Sequence, residues 1–214
     1  MLGVYVTVPV ACFRKGLARE YLETEPLPPP ATCYGFLLSM VGETNRHRHI
    51  GSRVAPILIA SQAGSVVLRT VWRVKKMPLG SPGNTRPDYQ QLLTNVKLLI
   101  WLDSAGEQQT PTLEARVATA LANPASVTRF GGLSLGESTH LVDEVSPWDR
   151  VKDRPEFRDK HGRAFLLAER GRLTLPVWVD HVGSAGTRYA TGDLEKTLIS
   201  EPPATARLPV ISPE

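Results

Sequence analysis

Two periods alternate along this chain. Val4, Val6, Val8 and Val10 alternate with Tyr5, Thr7 and Pro9, the two-residue period of a strand with one apolar face. Cys33, Phe36, Leu37, Met40 and Val41 then recur at i, i+3, i+4, i+7 and i+8, the spacing of a helix with one buried stripe. Gly35, Ser39 and Gly42 make a second stripe of small residues, which would let that helix sit close to a neighbour. The triplet Pro28-Pro29-Pro30 has no backbone donors, so the helix is predicted to start after it, with Thr32 as its cap. Between strand and helix lies a basic loop flanked by aromatics, with Phe13, Arg14, Lys15, Arg19 and Tyr21. It leaves the strand where a flat ligand with a charged backbone could lie.

Residues 54–60 read as a short apolar strand, which Pro56 assigns to an edge or a bulge. Residues 65–76 put Val66, Leu68, Trp72 and Val74 on one face and Arg69, Arg73 and Lys75 on the other. Residues 95–103 answer with Val96, Leu98, Ile100 and Leu102, and the two strands are expected to pair antiparallel. The connection over 77–93 carries the turn formers Gly80, Pro82, Gly83, Asn84 and Pro87, with Lys75 and Lys76 at its root, Arg86 at its tip and Tyr89 near by. It reads either as a protruding finger that reaches a partner or as a plain surface loop.

Thr110-Pro111 is expected to open a second helix whose buried face is Leu113, Val117, Ala120 and Leu121, and Asn123-Pro124 to end it. Residues 127–138 follow, with Gly131, Gly132 and Gly136 exposing backbone amides. Such a loop either cradles phosphates or is simply a turn. Residues 139–145 read as a strand and the charge-dense 146–163 as an exposed loop. Residues 164–169 and 173–180 flank Arg170-Gly171-Arg172 as a hairpin, with Pro176 putting its second strand at an edge. The proline-rich stretch from Glu201 is expected to order only against a partner. The order strand, helix, strand, strand, helix, strand predicts an α+β chain with the βαββαβ, ferredoxin-like unit of RNA-recognition domains. Two helices on one face would leave the other face open, and that face or the loops beside it takes single-stranded RNA in such domains.

Composition narrows this only a little. At 214 residues, 42% hydrophobic and 21% charged, the chain is long enough for a core without staples. A formal net charge of +4 permits a polyanionic partner without requiring one. Two cysteines, Cys12 and Cys33, make no disulfide framework and no zinc spacing, so a reducing cytoplasm is the expected setting. No apolar run reaches the roughly 18 residues of a membrane helix, and the N-terminus enters a strand at once instead of showing a signal pattern. The cluster Thr44-Asn45-Arg46-His47-Arg48-His49 is either a helix stop, with cations at the negative end of the dipole, or a pair of proton-trading histidines.

Three segments together, F-R-K-G-L-A-R-E-Y-L-E-T, L-P-P-P-A-T-C-Y-G-F-L-L-S-M-V-G-E and F-G-G-L-S-L-G-E-S, resemble the CRISPR-associated Cas-five family of the RAMP superfamily. The most specific part is the proline run leading into the glycine-containing first helix, and the likeness spans about residues 1–145. It implies a RAMP domain over 1–145 with a thumb hairpin at about 75–97, a charged loop and small C-terminal β appendix over 146–200, and an extended tail over 201–214. It implies a non-catalytic, cytoplasmic subunit of a type I Cascade surveillance complex that caps the 5′ handle of the crRNA. Its partners would be that handle, the Cascade backbone and large subunits and, indirectly, target DNA, with no cofactor, metal or membrane.

The RNA contacts so implied are Arg14, Lys15 and Arg19 on the first loop and Thr32 and Tyr34 at the helix start. Arg73, Lys75, Lys76 and Arg86 would serve on the thumb, and Arg129, Gly131, Gly132 and Gly136 on the glycine loop. Lysine and arginine neutralise phosphates, aromatics stack on unpaired bases at ~1–3 kcal/mol each, and helix-start amides accept phosphate oxygens. Glu137 departs from the family pattern, which has a basic residue there. A carboxylate repels phosphate, so backbone amides or Arg129 would have to supply that contact. One branch of the family resembles an endoribonuclease that cuts the guide precursor with tyrosine, lysine and histidine. Here none of His47, His49, His140, His161 and His181 adjoins a lysine in that branch's pairing, so binding is favoured over cleavage. The alternatives are that metal-independent endoribonuclease and a generic ferredoxin-like interaction domain whose basic residues only solvate it.

Overall fold

One strand organises the molecule, and it is twice the expected length. In the computed structural model, which describes residues 1–16, 21–61, 64–72, 78, 80–182 and 184–214, β5 runs over Thr85–Asp103. Its second half lies between β1 (Leu2–Ala11) and β3 (Arg53–Ala60), antiparallel to both, with Val6 and Leu58 flanking Leu98. Its first half leaves that body. There it pairs with β4 (Ser65–Trp72), antiparallel, and with the short β2 (Tyr21–Leu22), parallel. Asn95, at a left-handed φ of 49°, stands at the junction. Asparagine tolerates that conformation better than branched residues do.

The remaining strands extend the body: β6 (Glu144–Pro147), β7 (His161–Leu167), β8 (Leu173–Trp178) and β9 (Arg188–Leu198). The sheet reads β6-β1-β5-β3-β7-β9-β8, a mixed α/β architecture on a large antiparallel sheet. Helices α1 (Pro30–Met40) and α2 (Leu113–Ala122) cover one face. Leu37, Leu113 and Val117 pack there on Val4, Val6, Leu98 and Ile100, all buried. The other face is covered too. Trp148 and Val151 of the short α3 (Trp148–Val151), with Phe157 and Leu208, pack on Tyr5, Leu99 and Trp101. Burying each such side chain contributes about 1.5–3 kcal/mol, so both faces of the central strands are core.

Several expectations change. No face of the central strands stays open for RNA. Residues 65–72 pair with 85–92 rather than with 95–103, and 85–93 are strand rather than loop. Pro56 lies in an interior strand. It is tolerated because β7 pairs only Ile57 and Leu58, which leaves position 56 without a partner on that side. The fourth strand of the expected unit sits at 144–147 rather than 139–145. The stretch 146–163, read as an exposed loop, holds the buried Trp148, Val151 and Phe157. β7 and β8 do not form a hairpin, because β9 lies between them and pairs with both; Pro176 is on an edge strand as expected. The tail orders against this chain itself: Leu208 and Ile211 are buried, and Ile211 exchanges backbone hydrogen bonds with Gly51 and Ser52.

Both helix caps are displaced. Pro30 takes the first helical position of α1 behind Pro29, so Thr32 lies inside the first turn, its amide donating to the Pro29 carbonyl (2.9 Å). Thr112, not Thr110, caps α2 by accepting from the Ala115 amide (3.3 Å). Gly35 faces open space, whereas Gly42 (φ 65°) lies where a Cβ would strike the Thr128 carbonyl. The close approach expected of the small-residue stripe is therefore made at its last member.

The histidine cluster resolves into structure at His49. Arg116 Nη1, which can only donate, lies 2.8 Å from His49 Nε2. The other ring nitrogen, Nδ1, is 2.7 Å from Glu107 Oε2 and carries the proton. Arg116 also pairs with Glu43 (2.5 Å), which ties the end of α1 to α2. His47 meets Trp178 edge to face, and the Arg46 guanidinium lies 4.0 Å from the centre of the same indole.

Candidate nucleic-acid interface

Three segments meet where β1 and β5 leave the body. The first is the loop after β1, which folds back as an arm. Glu25 donates its amide to the Phe13 carbonyl (2.7 Å), Lys15 to the Glu23 carbonyl (2.9 Å) and Phe13 to Thr24 Oγ1 (2.9 Å). The Thr24 amide reaches Gln91 Oε1 (3.1 Å), which ties the arm to β5. The second segment is the ribbon of β2, β5 and β4. The third is a short hairpin over 133–142, closed by Leu135 and His140 and bridged at Ser134 and Leu141.

The ribbon turns its polar side inward. Gln90 Nε2 donates to Glu137 Oε1 (2.9 Å), Arg69 pairs with Glu137 Oε2 (3.2 Å) and with the Gln90 side-chain oxygen, and Asp88 is buried against Arg86 (2.6 Å). The expected division of β4 into a buried apolar face and an outer basic one is thus inverted at 66–69. Val66 and Leu68 are exposed, and the register places Tyr21, Tyr89 and Leu68 in one row across three strands. Glu137, read as an obstacle to phosphate, is the acceptor that holds the ribbon to the hairpin.

The hairpin docks on the end of β1 through His140. Its Nδ1 accepts from the amides of Cys12 and Glu137, both at 3.2 Å. Burial, the largest influence, pushes the imidazole below its usual pKa, which keeps that nitrogen an acceptor. Gly136 (φ 103°) is required here, because a Cβ would stand 2.8 Å from the Cys12 carbonyl.

The expected contact residues divide into groups. Arg14 and Thr32 are brought together: both line a hollow of about 390 Å³ between the arm, the start of α1 and the C-terminal strands. Asp180 and Tyr189 line it as well, and sequence reasoning missed both. The Asp180 carboxylate accepts from the amides of Val182 (2.9 Å) and Gly186 (3.0 Å), and Tyr189 is half exposed. The one signal for Tyr189 was an aromatic beside Arg188 in a segment with no clear period. Lys15 borders a second hollow, of about 410 Å³, against Val66 and Gln91 of the ribbon, and pairs loosely with Glu23 (3.4 Å).

Others are not brought there. Tyr34 is buried and donates its hydroxyl to the Arg46 carbonyl (2.7 Å), so its ring has no face for a base. Arg86 lies in the ladder opposite Val71 and is paired with Asp88. Gly131 and Gly132 are exposed at the base of the hairpin with Arg129 and Phe130, while Gly136 sits at its tip, so the glycines form no single cradle. Arg19, Arg73, Lys75 and Lys76 lie outside the described residues. Among the described residues no cluster of three histidine, cysteine or acidic side chains could hold a metal, and no helix is long and apolar enough to cross a membrane.

The chain is 52% identical over 215 residues to the CRISPR-associated protein Cas5 of Myxococcus xanthus (strain DK1622), covering 99% of this chain and 97% of that one. It belongs to the Cas5 family of CRISPR-associated proteins. No family model matches the sequence. Among solved structures, a chain of a CRISPR RNA-guided surveillance complex superimposes with a TM-score of 0.61 over 91% of this chain and 90% of its own, at 15% identity. A second Cas protein gives 0.51 over 92% and 93%, at 16% identity. At those identities the two structures speak for a shared fold alone.

Proposed function

We propose that this Cas5-family chain is a non-catalytic RNA-binding subunit of a type I Cascade-like surveillance complex, gripping the 5′ handle of the crRNA between arm, hollow and ribbon. The observation that carries the reading is the convergence at one place of Arg14, Thr32 and Tyr189 around one hollow, beside a ribbon with an exposed Tyr21–Tyr89–Leu68 row. A cation beside unpaired aromatic faces is what single-stranded nucleic acid requires: charge for the phosphates and π surfaces for the bases. The sheet order β6-β1-β5-β3 with α1 and α2 on one face supports a ferredoxin-like, RAMP-type core, the ribbon being its thumb.

The non-catalytic part of the proposal draws on the histidines. His140 Nδ1 is occupied by two amides, and His49 is locked between Glu107 and Arg116. Neither is poised to take a proton from a 2′-hydroxyl.

Fluorescence anisotropy with a handle-ended RNA tests the binding reading. Arg14→Glu is expected to weaken binding about tenfold at ~0.1 M salt and to flatten its salt dependence. Parental affinity in that variant overturns the placement. Incubation of the full chain with precursor RNA should leave it intact; defined cleavage would overturn the non-catalytic reading.

A further inference from the structure

We propose a second phosphate-binding surface on the C-terminal strands, formed by Arg163, Lys196 and His161 and engaging the backbone of a nucleic acid away from the arm and ribbon. Arg163 of β7 and Lys196 of β9 are direct cross-strand partners, and His161 follows two positions along on the same face. All three are exposed and line one hollow of about 300 Å³ with Ser61. Among the described residues no acidic side chain lines it.

Like charges directly opposite on a ladder are destabilising. The same strand shows how this fold treats charge elsewhere: on the other face of β9, Glu195 is paired with Arg207, and Asp193 with Arg172 (3.5 Å). Arg69, Arg86, Arg116 and Arg154 likewise have carboxylate partners. Arg163 and Lys196 have none among the described residues.

The row continues through Leu58 of β3, whose strand leads through Ser61 toward the ribbon. The neighbours on this face are therefore apolar or cationic, and the arrangement calls for an external anion. Two cations on adjacent strands, about 5 Å apart at their backbones, can meet on one phosphate. The planar Arg163 fork suits a pair of its oxygens and Lys196 supplies a point charge. His161 Nδ1 donates to the Asp159 carbonyl (3.2 Å), which fixes the ring beside them.

The test uses the full chain as parent, as Arg163→Gln/Lys196→Gln, and as the charge-matched control Arg150→Gln/Arg170→Gln, both exposed sites outside this hollow. The probes are a handle-free single-stranded RNA, a single-stranded DNA, a duplex DNA of equal length, and polyglutamate. The hollow variant is expected to bind at least one nucleic acid about five- to thirtyfold more weakly at ~0.1 M salt. Its slope of log affinity against log salt should fall by about one to two, while the control keeps both values. Loss confined to RNA would identify the guide as the source of the phosphates, and loss confined to DNA the target.

Parental affinity and slope in the hollow variant, or an equal loss in the control, overturns the proposal. So does a loss seen only with polyglutamate, which would mark an acidic protein partner. Because the variant removes a like-charge pair, its melting temperature should equal or exceed the parent's, so weakened binding cannot be ascribed to unfolding. Handle-end preference is read separately, through Arg14→Glu, and either result can fail without the other.

Discussion

The two halves of β5 share one backbone and follow opposite rules. From Leu98 to Leu102 the strand is apolar at both parities: Leu98 and Ile100 meet α1 and α2, and Leu99 and Trp101 meet α3 and Phe157. From Thr85 to Leu92 its buried side chains are Asp88 and Gln90, while Tyr89 between them is about half exposed. The body half is held by burial on two sides. The ribbon half is held by its ladder and by a polar clasp to Glu137. A two-residue period says which residues share a face; it does not say which face is covered. In β4 the apolar parity at Val66 and Leu68 faces out, because the cover on the inner side is a polar hairpin.

That contrast can be broken most severely in the body. Ile100→Ala should cost about 2–5 kcal/mol, because the cavity lies between fully buried neighbours that cannot collapse into it. Denaturant unfolding checks this. A loss below about 1 kcal/mol would mean that the body is packed no better than the ribbon. Next in size is the clasp. Glu137→Ala removes the acceptor of Gln90 and Arg69 and should cost about 1–2 kcal/mol. The effect should be local: hydrogen exchange should quicken at 66–71 and 86–91 and stay unchanged at 97–101. Uniform loss of protection would show that ribbon and body open as one unit.

How far the chain could be read follows the same division. β1, α1, α2 and their order were legible because each presents one apolar face to a cover that the sequence also contains near by. Residues 188–198 were not. Gly192 and the charges Asp193, Glu195 and Lys196 interrupt the period, and the segment is a strand because β7 and β8 flank it. Residues 146–163 looked solvated because their charges outnumber Trp148, Val151 and Phe157, yet those three side chains help close the second core. Of the candidate site, Arg14 and Thr32 were legible from a basic loop and a proline-started helix. Tyr189 and Asp180 were not, since they approach from the far end of the chain. The clasp role of Glu137 was not legible because its partners, Gln90 and Arg69, lie in segments whose pairing was assigned to other strands.

The body also has a polar contact of its own, and its pH dependence has a definite sign. Arg116, the largest influence, holds the Glu43 carboxyl down at about 2. The unfolded carboxyl titrates near ~4.3, so the unfolded chain binds the extra proton and stability falls as pH drops. The contribution is complete above roughly pH 5 and is lost on the way to about pH 2. Between pH 6 and pH 3 the parent should lose about 1 kcal/mol more than Glu43→Gln, a figure that allows for solvent screening. Equal losses in urea titrations at the two pH values would mean that the ion pair contributes nothing to the α1–α2 contact.

The smallest expected effect on stability is at the outer row, and it separates the two halves most sharply. Tyr89→Ala and Leu68→Ala remove side chains that are 53% and 63% exposed, so each should change unfolding free energy by no more than about 0.5 kcal/mol. If the row serves a partner, the same substitutions should still weaken handle-RNA binding, with Tyr89→Ala costing about 1–3 kcal/mol as a lost stacking surface. Leu68 has no π face and should cost less. A ribbon whose outer row changes neither quantity would leave its exposed apolar residues without a use. A ribbon whose outer row changes stability as much as Ile100 would show that this face is covered by the protein itself, and the difference between the two halves of β5 would disappear.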